Sequence, residues 1–238
     1  MAMNGTIKDN INTILNKLRE AEKKYGRPEG SVKLLAVSKF NPKEAVYEAI
    51  EAGQTSFGEN RVQEVCEKFP EILEKHAEVK LHIIGQLQTN KVKKAILYAS
   101  MIESVDRLEL IQEIEKQCAK INKNIQILLE YHTGEESKSG FTSEEELSSA
   151  LQYIADGNAP HVIPRGFMTM APFTEDKTLI HNSFATMKKI AEKMQKAFPD
   201  FNLSELSMGM TNDFEIAVQE GSTQVRVGTA IFGARIYN

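Results

Sequence analysis

Lys39 closes the run Val32-Lys33-Leu34-Leu35-Ala36-Val37-Ser38-Lys39. Most lysines are solvated surface residues, and that is the ordinary account of this one. An amine at the mouth of a packed domain, partly desolvated, has a lowered pKa and becomes a Schiff-base nucleophile toward an aldehyde. A second signal lies at residues 221–233, where Gly228 and Thr229 end an apolar strand. Gly228 would let the backbone approach an anion closely, and Thr229 offers a hydroxyl and an N–H. Residues 229–232 would open a short helix whose N-terminus faces a phosphate, and a simple turn is the alternative. Ser207-Met208-Gly209-Met210-Thr211 adds donors at Ser207, Gly209 and Thr211. Met208 and Met210 are adaptable apolar groups suited to a ring-shaped ligand, or else to the core. Arg226 stands between Val225 and Val227. If the valines face outward, Arg226 points inward and needs a partner, either a carboxylate or a ligand atom.

These residues need a frame. A short apolar run over 32–37 is typical of a buried parallel strand. Further strand-like runs fall near 54–57, 81–84, 101–104, 125–130, 163–168, 204–208 and 224–227. Helical patterns lie between them, most plainly over 42–52, 106–121, 142–155, 176–197 and 212–219. Thr6 is a suitable cap for a first amphipathic helix over 7–25, and Asn41, Asn90, Thr142 and Asn212 for later ones. The alternation predicts a single (β/α)₈ barrel over residues 1–238, with an N-terminal helix in residues 1–30 covering the bottom or the last gap. An open doubly wound sheet shares the alternation. A barrel of this type commonly runs to about 250 residues, and the chain has 238.

In such barrels the chemistry sits at the C-terminal ends of the strands. That rule selects Ser38 and Lys39, Gly58-Glu59-Asn60, Gly85-Gln86, Ser104-Val105-Asp106 and His132-Thr133-Gly134. It continues with Met168-Thr169-Met170, residues 207–211, and Gly228-Thr229.

Other chemistries find no footing. The five histidines lack metal spacing, so no metal is expected. No Walker or Gly-x-Gly-x-x-Gly motif occurs. The net charge of −4 gives no basic footprint for nucleic acid. No apolar run approaches a membrane span, and residues 1–10 are too polar for a signal-peptide core. Cys66 and Cys118 read as reduced thiols of a cytoplasmic protein. Glu135-Glu136 and Glu144-Glu145-Glu146 read as solvated faces. A monomer is expected.

From Leu35-Ala36-Val37-Ser38-Lys39 onward the sequence resembles the YggS/PROSC family, the pyridoxal phosphate homeostasis proteins. The blocks follow in order: 57–64, His82-Ile83-Ile84-Gly85-Gln86-Leu87-Gln88-Thr89-Asn90-Lys91, Ser104-Val105-Asp106, Ser137-Lys138-Ser139-Gly140, 206–210 and 221–233. The resemblance implies a barrel similar to the N-terminal domain of alanine racemase that binds pyridoxal 5′-phosphate (PLP). It implies that Lys39 carries PLP as a Schiff base and that Arg226 faces the pyridine nitrogen. It also implies that Ser207, Gly209, Gly228 and Thr229 surround the phosphate, with Asn60 and Met208 near the ring. Four positions depart from the family pattern: Phe40, Leu81, His132 and Thr211.

PLP catalysis commonly relies on an acidic partner that keeps the pyridine nitrogen protonated. An arginine there does the reverse. Alanine racemase tolerates it but adds a tyrosine base from a second domain. By resemblance this chain has only the barrel, so the expectation is a solvent-open carrier, not an enzyme. Its transient partners would be apo-PLP enzymes. A PLP-dependent amino-acid racemase is the alternative, and a Schiff-base aldolase acting without PLP comes third.

Overall fold

The computed structural model describes residues 5–134 and 139–233. Glu135, Glu136, Ser137 and Lys138, named above, lie outside the described residues. Parallel strands β1 (Lys33–Val37), β2 (Ser56–Glu59), β3 (Lys80–Ile83), β4 (Met101–Val105), β5 (Ile125–Glu130), β6 (Val162–Met168), β7 (Glu205–Ser207) and β8 (Gln224–Val227) close into a barrel in chain order. The closing pair is β1 with β8, in a register that sets Leu35 against Arg226. Closure excludes the open sheet that shares the same alternation.

The helices are α1 (Ile7–Lys24), α2 (Lys43–Glu51), α3 (Val62–Lys75), α4 (Val92–Tyr98), α5 (Leu108–Ile121), α6 (Glu144–Ala155), α7 (Lys177–Ala197), α8 (Phe214–Gln219) and α9 (Thr229–Phe232). Helix α1 packs on α2, α8 and α9. Its Asn10 Nδ2 donates to Ile231 O at 2.9 Å. It therefore fills the last gap in the helical ring. The buried carboxylate of Glu22 fastens it to the barrel, accepting from the backbone N–H of Gly30 at 2.9 Å and of Val32 at 2.7 Å.

Strand parity explains the two layers of core. Leu34 and Ala36 of β1 join Val225 and Val227 of β8 in the large apolar cluster that includes the helices' buried faces. Side chains of opposite parity turn inward. There Met101, Leu128 and Met168 form a small separate cluster. The buried polar residues His82, Glu103, Ser207, Gln224 and Arg226 make one hydrogen-bonded network. The interior of this barrel is thus partly polar, where hydrophobic layers are usual.

Several strand boundaries move slightly from their sequence-based positions. β2 begins at Ser56, not Gln54, because Gln54 Nε2 donates to Leu34 O at 2.9 Å and Ser56 O at 2.7 Å, ending the preceding turn. β3 starts one residue earlier, and β7 is trimmed at both ends to Glu205–Ser207. Thr6 caps α1 in a full capping box with Asp9. The other four caps do not form as expected. Pro42 and Asp213 occupy the N-cap positions of α2 and α8, and Asn90 lies in a 3₁₀ turn. Ser143 Oγ, one residue after Thr142, accepts from Glu146 N. Thr142 is drawn away because its N–H and hydroxyl both donate to the Glu146 carboxylate, each at 3.0 Å.

Candidate functional site

The C-terminal ends of the strands surround a cavity of about 320 Å³. That is near the low end for small-ligand pockets, which run from about 300 to 1,000 Å³. Lys39, Asn60, Arg226, Gly228 and Thr229, all selected from the sequence, line it. Apolar wall is supplied by Val37, Ile84, Met170 and Met210. Thr211 lines the cavity too.

Lys39 follows β1 and is half-buried. The turn that carries it is strained: Phe40 has φ +65°. For a bulky side chain that conformation costs about 1–2 kcal/mol. The Phe40 ring stays outside, 46% exposed, with the Arg61 guanidinium 5.3 Å from its centroid.

Arg226 is buried inside the barrel, as its flanking valines require. It donates to Ser207 O at 2.7 Å, Ser207 Oγ at 2.8 Å and Thr169 O at 2.8 Å. A guanidinium has five N–H groups, so two remain without a partner among the described residues. Burial pulls its pKa down, against the opposing charges of Glu103, Glu130 and Asp213.

Ser207, Met208 and Gly209 do not line the cavity. Ser207 and Gly209 stand behind Arg226. Ser207 bridges it to Glu103, donating to Oε2 at 2.6 Å, and Gly209 O accepts from Arg226 N at 2.9 Å. Met208 has the opposite parity to Ser207 and sits in the outer core. Of the two methionines suited to a ring contact, Met208 and Met210, only Met210 borders the cavity. Gly228 is held close to β1, where a Cβ would come within 3.0 Å of Val37 O. Thr229 opens α9, the short helix expected there.

Two carboxylates escaped the sequence reading. Glu103, in β4, is fully buried and accepts from His82 Nδ1 at 2.5 Å, Ser207 Oγ at 2.6 Å and Gln224 Nε2 at 2.8 Å. Burial alone would raise its pKa. The hydrogen bond and charge of His82, the charge of Arg226 and the Ser207 hydrogen bond outweigh that and hold it below the usual range. Glu130 ends β5 and lines the cavity. The strand-end rule, applied two residues earlier than His132, would have found it. Its parity also gave notice, since Ile125, Ile127 and Leu129 face the helices.

Burial pushes the Glu130 carboxyl up to about 7, with Asp106 adding to the rise and Ser139 and Arg226 opposing it. Unfolded, the group ionises near 4.5. Between those values the folded chain binds the extra proton, so stability falls as pH rises through the window. The full cost is roughly 3 kcal/mol. Glu130→Gln should remove it, giving a gain in urea-unfolding free energy that grows from small at about pH 5 to roughly 1–3 kcal/mol at about pH 8. An equal difference at both pH values would show that Glu130 is not the titrating group.

The donor set suits a phosphorylated aromatic aldehyde. It combines an amine, a buried guanidinium with unused donors, a hydroxyl and backbone at the β8 end, and apolar walls. Among the described residues no cluster of His, Cys, Asp and Glu could hold a metal ion. No helix there is long and apolar enough to cross a membrane.

Residues 9–236 match the family described as alanine racemase, N-terminal domain. The pyridoxal phosphate homeostasis protein of Pasteurella multocida is 40% identical over 234 residues, 98% of this chain and 99% of that protein. The structure of PipY from Synechococcus elongatus, with PLP bound, superposes with a TM-score of 0.82 at 32% identity, covering 96% of this chain and 100% of that one. Alanine racemase of Clostridium difficile shares the fold at a TM-score of 0.72 and 14% identity, and only 59% of its chain is covered. With its cavity built at the barrel mouth around Lys39 and Arg226, the chain belongs to the alanine racemase N-terminal domain family and, within it, to the pyridoxal phosphate homeostasis proteins.

Proposed function

We propose that this protein binds PLP at the barrel mouth as a Schiff base on Lys39 and holds it reversibly, serving PLP homeostasis without running a PLP-dependent reaction. The observation that carries this is the convergence of Lys39, Arg226, Gly228 and Thr229 on one cavity. PLP supplies an aldehyde that condenses with an amine and a ring able to withdraw electrons. Lys39 provides the amine. Arg226 offers an unused N–H to the pyridine nitrogen, and a donor there disfavours the protonated ring on which strong electron withdrawal depends. Gly228 and Thr229 receive the phosphate, and Asn60 borders the ring. Ser207 and Gly209 act through Arg226, and Met208 backs the wall.

The relatives support the carrier role. The Pasteurella homeostasis protein is matched over 99% of its length. PipY has PLP bound. We further propose one cytoplasmic domain acting as a monomer, with apo-PLP enzymes as transient partners.

The test is an absorbance spectrum of the purified protein with PLP, wild type beside Lys39→Ala. The wild type should show the long-wavelength imine band and the variant should lose it. An unchanged band in Lys39→Ala rejects the assignment of the amine. Sustained interconversion of alanine or serine enantiomers by the wild type would replace the carrier with a racemase.

A further inference from the structure

Lys68, on α3, is buried, although a lysine is among the residues least often placed there. Its ammonium lies against one short segment of backbone, the turn that follows β1. Nζ donates to Ser38 O at 3.1 Å and Asn41 O at 3.1 Å, the carbonyls on either side of Lys39 and Phe40. Two carboxylates hold the ammonium in place: Glu59 Oε1 at 2.7 Å and Glu64 Oε2 at 2.9 Å. Both carboxylates grip the same turn. Glu59 Oε1 accepts from Ser38 Oγ at 2.7 Å, and Glu64 Oε2 accepts from Phe40 N at 2.8 Å.

That last bond falls on the strained residue. Phe40 sits at φ +65°, a conformation that persists only where its surroundings over-determine it. The surroundings are these charges, together with Asn41 Nδ2 donating to Lys39 O at 3.0 Å and Asn41 N donating to Ser38 O at 3.1 Å. A buried lysine between two glutamates is more than a helix needs to pack, since apolar residues of similar volume do as well. Here all three groups converge on the backbone that presents Lys39 to the cavity. Glu59 also immediately precedes Asn60, another cavity residue.

We propose that Lys68, held by Glu59 and Glu64, is the positioning residue for Lys39: it locks the Ser38–Asn41 turn in the shape that aims the amine at an incoming aldehyde. The inference rests on Lys39 being the imine-forming residue. In that step the neutral Nζ adds to the aldehyde carbon, a C=N bond forms, and the carbonyl oxygen leaves as one water. Addition requires the amine at close approach and along a narrow direction, and a displacement of about 1 Å is enough to slow such steps by up to about 100-fold.

The experiment compares wild type, Lys68→Met and Glu64→Ala by stopped-flow absorbance with PLP. It pairs this with the affinity for pyridoxamine 5′-phosphate, which has no aldehyde, and with hydrogen exchange at the Phe40 amide of the protein free of PLP. In Lys68→Met the rate of imine formation should fall roughly 10- to 100-fold. Affinity for pyridoxamine 5′-phosphate should stay within about threefold, because phosphate and ring contacts are untouched, and the Phe40 amide should exchange faster. An unchanged imine rate overturns the proposal. So does a parallel loss of imine formation and pyridoxamine 5′-phosphate affinity, which would make Lys68 a support of the fold alone. If Lys68→Met fails to fold, Glu64→Ala, altered at a partly exposed side chain, decides by the same readouts. Lys39→Ala retaining the imine band would remove the prior assignment of the amine, a result distinguishable from any of these.

Discussion

Gly166→Ala should cost about 4 kcal/mol or more, a large fraction of the roughly 5–15 kcal/mol that holds a domain of ordinary stability together. Two separate penalties meet at this position. Gly166 has φ +147°, a conformation L side chains rarely adopt. A Cβ there would lie 1.9 Å from Glu205 O and 2.8 Å from Glu205 N, atoms of the neighbouring strand's backbone. Gly166 pairs with Glu205 across β6 and β7, so relief would require those strands to part. On its other side the register skips a residue, with Ile127 opposite Pro164 and Leu128 opposite Gly166. Such a bulge bends a strand, as closing a barrel demands. Gly157 is the matched control. It has φ +81° but nothing within 4 Å of where a Cβ would stand, so Gly157→Ala carries only backbone strain, about 1 kcal/mol. Urea midpoints for both variants check this, and a wild-type midpoint for Gly166→Ala would show that the β6–β7 approach is not obligatory.

Glu103→Gln is expected to destabilise the protein by roughly 3–5 kcal/mol at neutral pH. Glu103 accepts three hydrogen bonds in the barrel interior and is a counter-charge to Arg226. The amide preserves volume but removes the charge. It also turns one acceptor into a donor facing donors, and buried groups left unmatched lose their full solvation. Arg226 would then lose both a counter-charge and the acceptor that fixes Ser207. PLP affinity should fall with stability, which distinguishes this variant from Gly157→Ala. The wild-type carboxylate is held below its usual pKa, so its contribution is fully present above about 4.5 and is lost as pH falls through the folded value. Urea unfolding of the variant within about 1 kcal/mol of wild type would mean that the network's other members carry Arg226 without it.

Much of the site could be read from the chain because it depends on local rules. Alternation set the direction of Arg226, since Val225 and Val227 needed the helical layer. The strand-end rule placed Lys39, Asn60, Gly228 and Thr229. The same two rules reached Ser207, but not the reason it matters. Residue type and family resemblance put Met208 beside a ring, while its parity sends it to the outer core. Glu130 was within reach of both rules, at the end of the strand that leads into the loop carrying His132.

What remained hidden shares one physical cause, separation along the chain. Ser207 meets Glu103 from 104 residues away, and Gln224 meets it from 121. Lys68 reaches the Ser38–Asn41 turn from α3, about 30 residues further along the chain. Gly166 reads as an unremarkable glycine until β7 is laid against it. The order of residues was enough for the alternation of strands and helices, the inward face of each strand and the groups delivered to the barrel mouth, because those follow from period and position within one element. The closed ring alone settled which buried charges neutralise each other, where the backbone has no room for a Cβ and how the Lys39 turn is clamped. Those depend on register between strands, which side-chain period leaves free and closure fixes.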